Sequence, residues 1–231
     1  GESSCYQKSM KIVEEKLKVC YFPWGGTMKI DVKECQPQER YKILTGLIAP
    51  RPIAFVTSLS EEGNVNGAPF SYFSIVSIDP PLISLSIQRN QGQMKDTARN
   101  ILREKTFVVQ GVDGSLLEKA NAASAPYGPA ESEIDALNLE TVQSNKISVP
   151  GILQAPYKME CVLERHIEIQ SMEHTTADLI LGRVVYMDVE EGILTEDLKV
   201  RQENYDPIAR LGGPNYATLK ESFALARPKS V

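Results

Sequence analysis

Residues 53–88 read IAFVTSLSEEGNVNGAPFSYFSIVSIDPPLISLSIQ. Apolar and β-branched runs alternate in this stretch with polar turns that contain glycine or proline, which is typical of consecutive antiparallel strands. The turn at 60–64 holds a glycine between two such runs and predicts a hairpin. The prolines at 80–81 have no N–H for a sheet ladder, so they predict an extended corner between the third strand and the fourth.

The rest of the chain is also mainly β. Apolar residues recur at helical spacing over 95–104, which predicts one helix, and 106–112 predicts a further strand. Two long strands, at 157–170 and 177–189, are joined by a short connection and should be antiparallel neighbours, whereas the tail from Pro207 looks irregular. There is neither βαβ alternation nor a GxGxxG motif, which argues against a Rossmann domain. The sequence therefore predicts a mainly β fold with inserted helices, a six- to seven-stranded antiparallel Greek-key barrel.

Composition and charge limit the classes of function that the chain can have. The chain has 231 residues, a net charge of -5 and a pI near 5.3, which disfavours nucleic-acid and anionic-membrane partners. The chain contains no 18-residue apolar run and no signal-peptide core, so we expect a soluble, cytoplasmic protein. We treat residues 1–27 as an N-terminal extension of unknown role and residues 28–231 as a single domain.

The metal-ligating residues are few. The cysteines form no CxxC pair and only two histidines, His166 and His174, accompany them, so no metal site is expected. Free thiols in a reducing cytoplasm are the simplest interpretation of the cysteines, which are Cys5, Cys20, Cys35 and Cys161.

Two strand segments contain residues that packing of a strand does not by itself explain. Residues 66–71 place a glycine and a proline inside a strand, which indicates either a bulged barrel corner or the close approach of a ligand to the backbone. At 51–58, Arg51 stands beside Pro52 at the mouth of a strand. This arginine could face a planar ligand or be an ordinary charge at the rim.

The segment 89–97 leads from a strand into the predicted helix. A helix start carries unpaired N–H groups and a partial positive charge, and therefore suits a phosphate. Lys95 adds a positive charge, Thr97 a hydroxyl and Arg89 a forked donor, whereas Asp96 is expected to cap the helix. A solvated, capped helix start is the alternative. The later segment 121–156 is too long for an idle connection, so we expect it to cover something.

Taken together, these segments resemble a known family. The runs RPIAFVTS, NGAPFS, SIDPPL, R-x5-KDT-x2-NI and RLGGPNY occur in that order between about residues 43 and 216. In wording, order and spacing they resemble the flavin reductase-like, FMN-binding split-barrel proteins. The resemblance implies a split barrel, bound FMN and a homodimer with FMN near its interface.

The resemblance also implies which residues bind FMN. Residues of the first strand would line the ring or the ribityl chain, namely Arg51, Pro52, Thr57 and Ser58. Residues after the hairpin turn would wrap the ribityl chain and phosphate, namely Asn66, Ala68, Phe70 and Ser71. The phosphate would be held by Arg89, Lys95 and Thr97, and Tyr216 would close the site. Ser132, Glu133 and Ile134 stand where the family usually has the sequence DEF, which puts the substrate side in doubt.

Three functions fit such a flavoprotein. The first is an NAD(P)H-dependent flavin reductase or related oxidoreductase, in which hydride passes through the flavin nitrogen N5. This chemistry needs no side-chain nucleophile, and we assign no catalytic residue. The second is a flavoredoxin-like electron carrier with tightly bound FMN that does not oxidise nicotinamides directly. The third is a flavin-binding module without turnover.

Overall fold

A computed structural model of the chain describes residues 27–127 and 132–227. The predicted extension at 1–27 lies outside these residues, apart from Thr27. By their contacts, the described residues divide into two compact units, one of 27–49 with 211–215 and one of 50–210 with 216–227. The assignment of 28–231 to a single domain stays a prediction.

The first unit is built around helix α1, Pro37–Leu47, which the sequence analysis did not predict. Proline stands at its first position, where no N–H is needed, and the backbone N–H of Gln36 donates to Glu39 Oε2 at 2.8 Å. Arg40 ties the preceding turn to the helix by donating from Nη2 to the Cys35 carbonyl at 2.6 Å. The proline and the glutamate two residues later were the available sequence signal for this helix.

The second unit contains a seven-stranded antiparallel sheet, which confirms the predicted mainly β barrel. From one edge of the sheet to the other, its strands are β3 (Val65–Phe70), β2 (Ala54–Leu59), β6 (Thr106–Gly111), β9 (Tyr157–Gln170), β10 (Thr175–Val189), β5 (Leu82–Gln88) and β4 (Phe73–Ser77). The strands predicted at 106–112, 157–170 and 177–189 agree with β6, β9 and β10 to within about two residues.

Short elements complete this unit. The helices are α2 (Asp96–Glu104), α3 (Leu117–Ala122), α4 (Glu133–Ala136) and a 3₁₀ turn at Gln202–Asn204, and the small strands are β1 (Arg51–Pro52), β7 (Thr141–Val142), β8 (Gly151–Ile152), β11 (Ile208–Arg210) and β12 (Tyr216–Thr218). The expectation of an irregular tail is wrong, because β11 pairs with both β1 and β12. Strands of three residues are too short to show a period of two in the sequence.

Strand β2 separates two apolar clusters. Ala54 and Val56 face a cluster that includes Phe107, whereas Ile53 and Phe55 face a second cluster that includes side chains of α3 and α4. In the first cluster the ring of Phe107 needs a glycine opposite it, since a Cβ at Gly182 would lie 2.5 Å from Phe107 Cζ. The core therefore lies on both sides of β2.

The long strand β9 is paired on both sides over only part of its length. It pairs with β6 through residues 158–162. Beyond Leu163, and within the described part of the chain, its strand partner is β10 alone. This free flank carries Glu164, Arg165 and Glu168, and Arg183 of β10 holds Glu164 by two hydrogen bonds of 2.9 Å.

A search of the described residues finds no helix long and apolar enough to cross a membrane.

Candidate functional site

Three of the predicted FMN-binding residues meet in one hydrogen-bond network. Asn66 Nδ2 donates to the two carboxylate oxygens of Glu133 at 2.9 and 3.0 Å. Asn66 Oδ1 accepts from Thr97 Oγ1 at 3.1 Å and, at 3.5 Å, from Ser58 Oγ. Asn100 Nδ2 donates to Ser58 Oγ at 3.1 Å. We call these five residues the Asn66 network.

Backbone pairing brings the members of this network together. Ser58 and Asn66 lie directly opposite each other in the β2–β3 hairpin, so their side chains share one face of the sheet. Thr97 and Asn100 lie one turn apart on α2 and face the same way. Glu133 comes from α4 and also accepts the Gly67 N–H at 3.3 Å. The segment 121–156, expected to cover something, therefore contributes a carboxylate to the network.

The start of α2 has the features of an anion site. Lys95 is the N-cap, in extended conformation, and no side chain caps the helix. The prediction that Asp96 caps α2 is wrong, because Asp96 is the first helical residue and pairs with Arg99. The Lys95 ammonium lies 5.8 Å from the centre of the Phe70 ring, and within residues 27–127 and 132–227 it has no salt bridge. Free N–H groups and a cation are thus left together at one helix end.

Arg89 is held by carboxylates. Its guanidinium donates to Asp178 Oδ2 and Oδ1 at 2.8 and 2.7 Å and to Glu168 Oε1 at 3.1 Å. It also donates to the Gly92 carbonyl at 3.3 Å, and so holds the tight turn at 90–93 that leads to Lys95. Its predicted phosphate contact stays a prediction, and its observed role is to fix this turn.

Asp178 is the buried centre of an ion-pair cluster. Burial would raise the pKa of its carboxyl, but the hydrogen bonds from Arg89 and His166 outweigh this and hold the pKa below its usual value. His166 Nε2 lies 2.8 Å from Asp178 Oδ1. His166, Glu168 and Asp178 are close enough to be considered as metal ligands. Because the guanidinium of Arg89 already donates to the carboxylates of Asp178 and Glu168, the arrangement is better explained as an ion-pair cluster.

A second cationic corner lies on the β1–β11–β12 sheet. Arg51 and Arg210 are directly opposite each other in the ladder, and the Arg51 Nε donates to Ser71 Oγ at 3.4 Å. The guanidinium of Arg210 lies 4.6 Å from the centre of the Tyr216 ring. The Tyr216 hydroxyl donates to Asn121 Oδ1 at 3.1 Å. Two like charges at facing ladder positions repel each other, so an anion beside them would be stabilised.

The remaining predicted residues differ in their surroundings. Thr57 is completely buried, and its hydroxyl donates to the Pro150 carbonyl at 2.7 Å. Ala68 and Phe70 pack against the cluster that contains Val56. Pro52 is exposed and forms part of the wall of an apolar groove. Contact of these residues with a flavin stays a prediction.

The apolar groove has a volume of about 940 Å³. Strand β4, the ends of β9 and β10, and the loop at 190–205 form its walls. Prominent lining residues are Pro52, Phe73, Ile75, Tyr157, Met187 and Leu198, and of these Ile75 and Leu198 are 71% and 77% exposed. Such a surface is larger and more apolar than the isolated exposed residues of ordinary protein surfaces.

Sequence reasoning missed several residues of these groups, among them Asp178 beside Arg89. Glu133 and Asn100 join the Asn66 network and Arg210 joins the cationic corner. The lone arginine of RLGGPNY was a signal for the last of these, since it stands six residues before Tyr216. Glu133 gave no local signal, because its partner Asn66 lies 67 residues away.

The family follows from this fold and a direct comparison. A family model described as a flavin reductase like domain matches residues 47–209. The chain belongs to the flavin reductase-like family. The matched residues contain the Asn66 network, the start of α2 and the Arg89 cluster, which are thus features of its flavin reductase-like domain.

Similar proteins agree with this assignment. YwrF of Bacillus subtilis, an uncharacterized protein, is 46% identical over 200 residues, or 83% of this chain and 94% of the relative. The crystal structure of nitrilotriacetate monooxygenase component B from Bacillus cereus is 44% identical with a TM-score of 0.84, over 87% of this chain and all of that one. The structure of the Pseudomonas fluorescens 2-nitrobenzoate 2-nitroreductase NbaA is 33% identical with a TM-score of 0.79, over 88% of this chain and 98% of that one.

The Arg89 cluster yields a prediction about stability. We expect Asp178→Asn to lower the free energy of unfolding by about 3 kcal/mol, because it leaves a largely buried guanidinium without its main counter-charge. Glu164→Gln removes one charge from the exposed pair with Arg183, and should lower the free energy of unfolding much less, because solvent screens such a pair. Urea unfolding followed by circular dichroism measures both. Equal losses in the two variants would show that burial does not set the strength of the Asp178 pair.

Proposed function

We propose that this protein binds FMN and reduces it with NADH or NADPH, as a flavin reductase or a related flavin-dependent oxidoreductase. The observation that carries the proposal is the uncapped start of α2. There Lys95, the free N–H groups of the first turn and the Asn66 network stand together. A phosphate dianion is the ligand that such a donor set favours. The flavin reductase-like family makes FMN the phosphate-bearing ligand to expect.

The residues around α2 fit the phosphate end of FMN. Lys95 supplies a positive charge at an exposed position, and Arg89 fixes the turn that presents it. Thr97 belongs to the first turn of the helix and its hydroxyl is 3.1 Å from Asn66 Oδ1. Lys95 would bind the phosphate by its charge and the backbone N–H groups of α2 would bind it by hydrogen bonds, while the Asn66 amide would orient Thr97.

The arginine pair on the β1–β11–β12 sheet, Arg51 and Arg210, would lie beside the flavin ring of FMN. Arg51 and Arg210 face each other across the ladder, with Ser71 and Tyr216 as polar neighbours. Such fixed cations would stabilise the negative charge that a flavin ring gains on reduction. Pro52, next to Arg51, would pack against the ring, and Tyr216 would limit access of water.

When bound, FMN would supply the redox chemistry, since a flavin can accept a hydride and pass electrons on. The chain has to bind and orient the reactants, and it needs no nucleophile of its own. Cys161 agrees with this, since burial raises the pKa of its thiol well above the usual value and keeps it protonated. The buried thiols of Cys35 and Cys161 are both free, as we propose for a protein of the reducing cytoplasm.

We also propose a homodimer formed through the apolar groove. The side chains of Ile75 and Leu198 are exposed to solvent in a single chain, and a second copy would bury them together with Met187. The groove shares Pro52 with the proposed flavin site. A partner seated there would therefore reach the ring end of the cofactor.

Flavin reduction is the first prediction of this proposal. The purified protein with FMN, mixed anaerobically with NADH or NADPH, should lose the visible absorption of the bound flavin at a rate that supports turnover. Stopped-flow spectroscopy measures that rate. Flavin that binds but stays oxidised would contradict the reductase and favour an electron carrier, and the absence of flavin binding would overturn both.

The phosphate site makes a second prediction. We expect Lys95→Ala to weaken FMN binding by about 10- to 100-fold, the effect of losing one charge-assisted hydrogen bond. Riboflavin, which has no phosphate, should bind the variant and the unchanged protein equally. Quenching of flavin fluorescence measures both ligands.

Lys146→Ala, which removes a charge from an exposed loop lysine, is the control and should leave the affinity for FMN unchanged. Arg89 is unsuited to this test, because its removal would leave the buried Asp178 without its arginine partner. Equal weakening of FMN and riboflavin by Lys95→Ala would contradict the phosphate assignment.

The dimer can be tested by sedimentation velocity. Ile75→Asp puts a charge on the proposed interface, so we expect it to shift the protein from dimer to monomer. Met172→Asp makes the same change at a fully exposed position in the β9–β10 turn, and should leave the dimer intact. A protein that sediments as a monomer, or an Ile75→Asp dimer as stable as the unchanged one, would contradict this interface.

A further inference from the structure

Glu133 is a buried carboxylate beside the proposed phosphate site. It is 8% exposed and accepts three hydrogen bonds, two from the Asn66 amide and one from the Gly67 N–H. Through Asn66 it is connected to Thr97, in the first turn of α2. A negative group thus lies two hydrogen bonds from the helix end at which the phosphate is proposed to bind.

The charge of Glu133 fixes the direction of these hydrogen bonds. An ionised carboxylate can only accept, so Asn66 has to present its NH₂ group to Glu133. The amide oxygen then faces α2, and the Thr97 hydroxyl donates its hydrogen to that oxygen. While Glu133 is ionised, the Thr97 hydroxyl hydrogen therefore points away from any ligand at the start of the helix.

The surroundings favour uptake of a proton by Glu133. Burial raises the pKa of its carboxyl and the nearby Asp96 raises it further, whereas interactions with its own backbone N–H, with Gly67 and with Asn66 lower it, with a net shift upward. Both nearby arginines of α2 are engaged, since Arg99 pairs with Asp96 and Arg103 with Glu104. The other acidic groups facing this region are Glu61 and Glu62 from the β2–β3 turn, whereas Asp135 of α4 is exposed and does not line the cavity.

A path for the proton is present. A polar cavity of about 200 Å³ is lined by Asn66, Asn100 and Glu133 and opens between the β2–β3 turn and α2. Water in this cavity can exchange a proton with the carboxyl without disturbing the apolar clusters.

We propose that Glu133 is the positioning residue of the phosphate site, and that binding of the FMN phosphate at the start of α2 is coupled to protonation of Glu133. This inference rests on the proposed FMN binding. Protonated Glu133 can donate to Asn66 Oδ1 once the amide turns over. Asn66 Nδ2 then donates to Thr97 Oγ1, and the Thr97 hydroxyl hydrogen is released for an acceptor at the helix start. Removing the charge of Glu133 also removes its repulsion of the dianion.

The coupling has to act in both directions. If phosphate binding favours protonated Glu133, then protonation of Glu133 favours phosphate binding by the same factor. The affinity for FMN should therefore rise as the pH falls through the raised pKa of Glu133.

The experiment compares Glu133→Gln with the unchanged protein. Glutamine has the shape of protonated glutamate and can donate to Asn66 Oδ1. We expect this variant to bind FMN roughly tenfold more tightly than the unchanged protein at pH 8.5, with the difference becoming smaller as the pH falls through the raised pKa of Glu133. The phosphate of FMN has its own ionisation near about pH 6, but this is common to all variants and cancels in their ratio. Isothermal calorimetry measures these affinities.

Calorimetry in two buffers of different ionisation enthalpy counts the protons taken up on binding. We expect uptake by the unchanged protein and less by Glu133→Gln. Asp135→Asn is the matched control, since it removes the same charge from an exposed residue of the same helix and should behave like the unchanged protein. With riboflavin, which has no phosphate, the unchanged protein and Glu133→Gln should show the same pH dependence.

Identical pH dependence and proton uptake in the unchanged protein and Glu133→Gln would overturn the inference while FMN binding stands. Failure of the unchanged protein to bind FMN would instead overturn the proposed function. If Glu133→Gln does not fold, Thr97→Val tests the same pathway, because it keeps Glu133 but removes the hydroxyl. Proton uptake in Thr97→Val as large as in the unchanged protein would contradict the pathway.

Discussion

Burial of both faces of β2 is the constraint on which the rest of the structure depends. Successive side chains of a strand point to opposite faces, so Val56 enters the cluster with Phe107 while Phe55 enters the cluster with side chains of α3 and α4. A shift of one residue would exchange the two sets. Because this register is fixed, Ser58 has to lie opposite Asn66, and the polar residues at the end of the hairpin meet α2.

The polar groups of the site are held by each other. Four hydrogen-bonded pairs show this, and they are Thr57 with Pro150, Ser58 with Asn100, Asn66 with Glu133, and Arg89 with Asp178. Each tie joins different elements, so the loops between the strands are fixed to the sheet and cannot move freely. A ligand that meets such a site encounters donors already in place, which reduces the ordering that binding requires. The exposed ammonium of Lys95 and the α2 N–H groups are the donors left for a ligand.

The strands and α2 could be predicted from the sequence, because their hydrophobic patterns are local. The motif residues that meet in the Asn66 network could also be selected, although their contacts could not. Glu133 and Asp178 reach the site from 67 and 89 residues away in the chain, and no pattern of neighbouring residues records such contacts. Helix α1 was missed because its sequence signal is confined to the proline and glutamate of its first turn and Thr45 is its one buried residue, and β11 and β12 because three residues cannot display a period.

The partly paired strand β9 has a consequence for association in the cell. A free strand edge normally invites another chain to add to the sheet, which leads to aggregates. Here the flank beyond Leu163 carries Glu164, Arg165 and Glu168, and a strand docking there would have to bury these charges. The same sheet therefore combines a charged edge, which is a poor template for a further strand, with an apolar groove that is open to solvent.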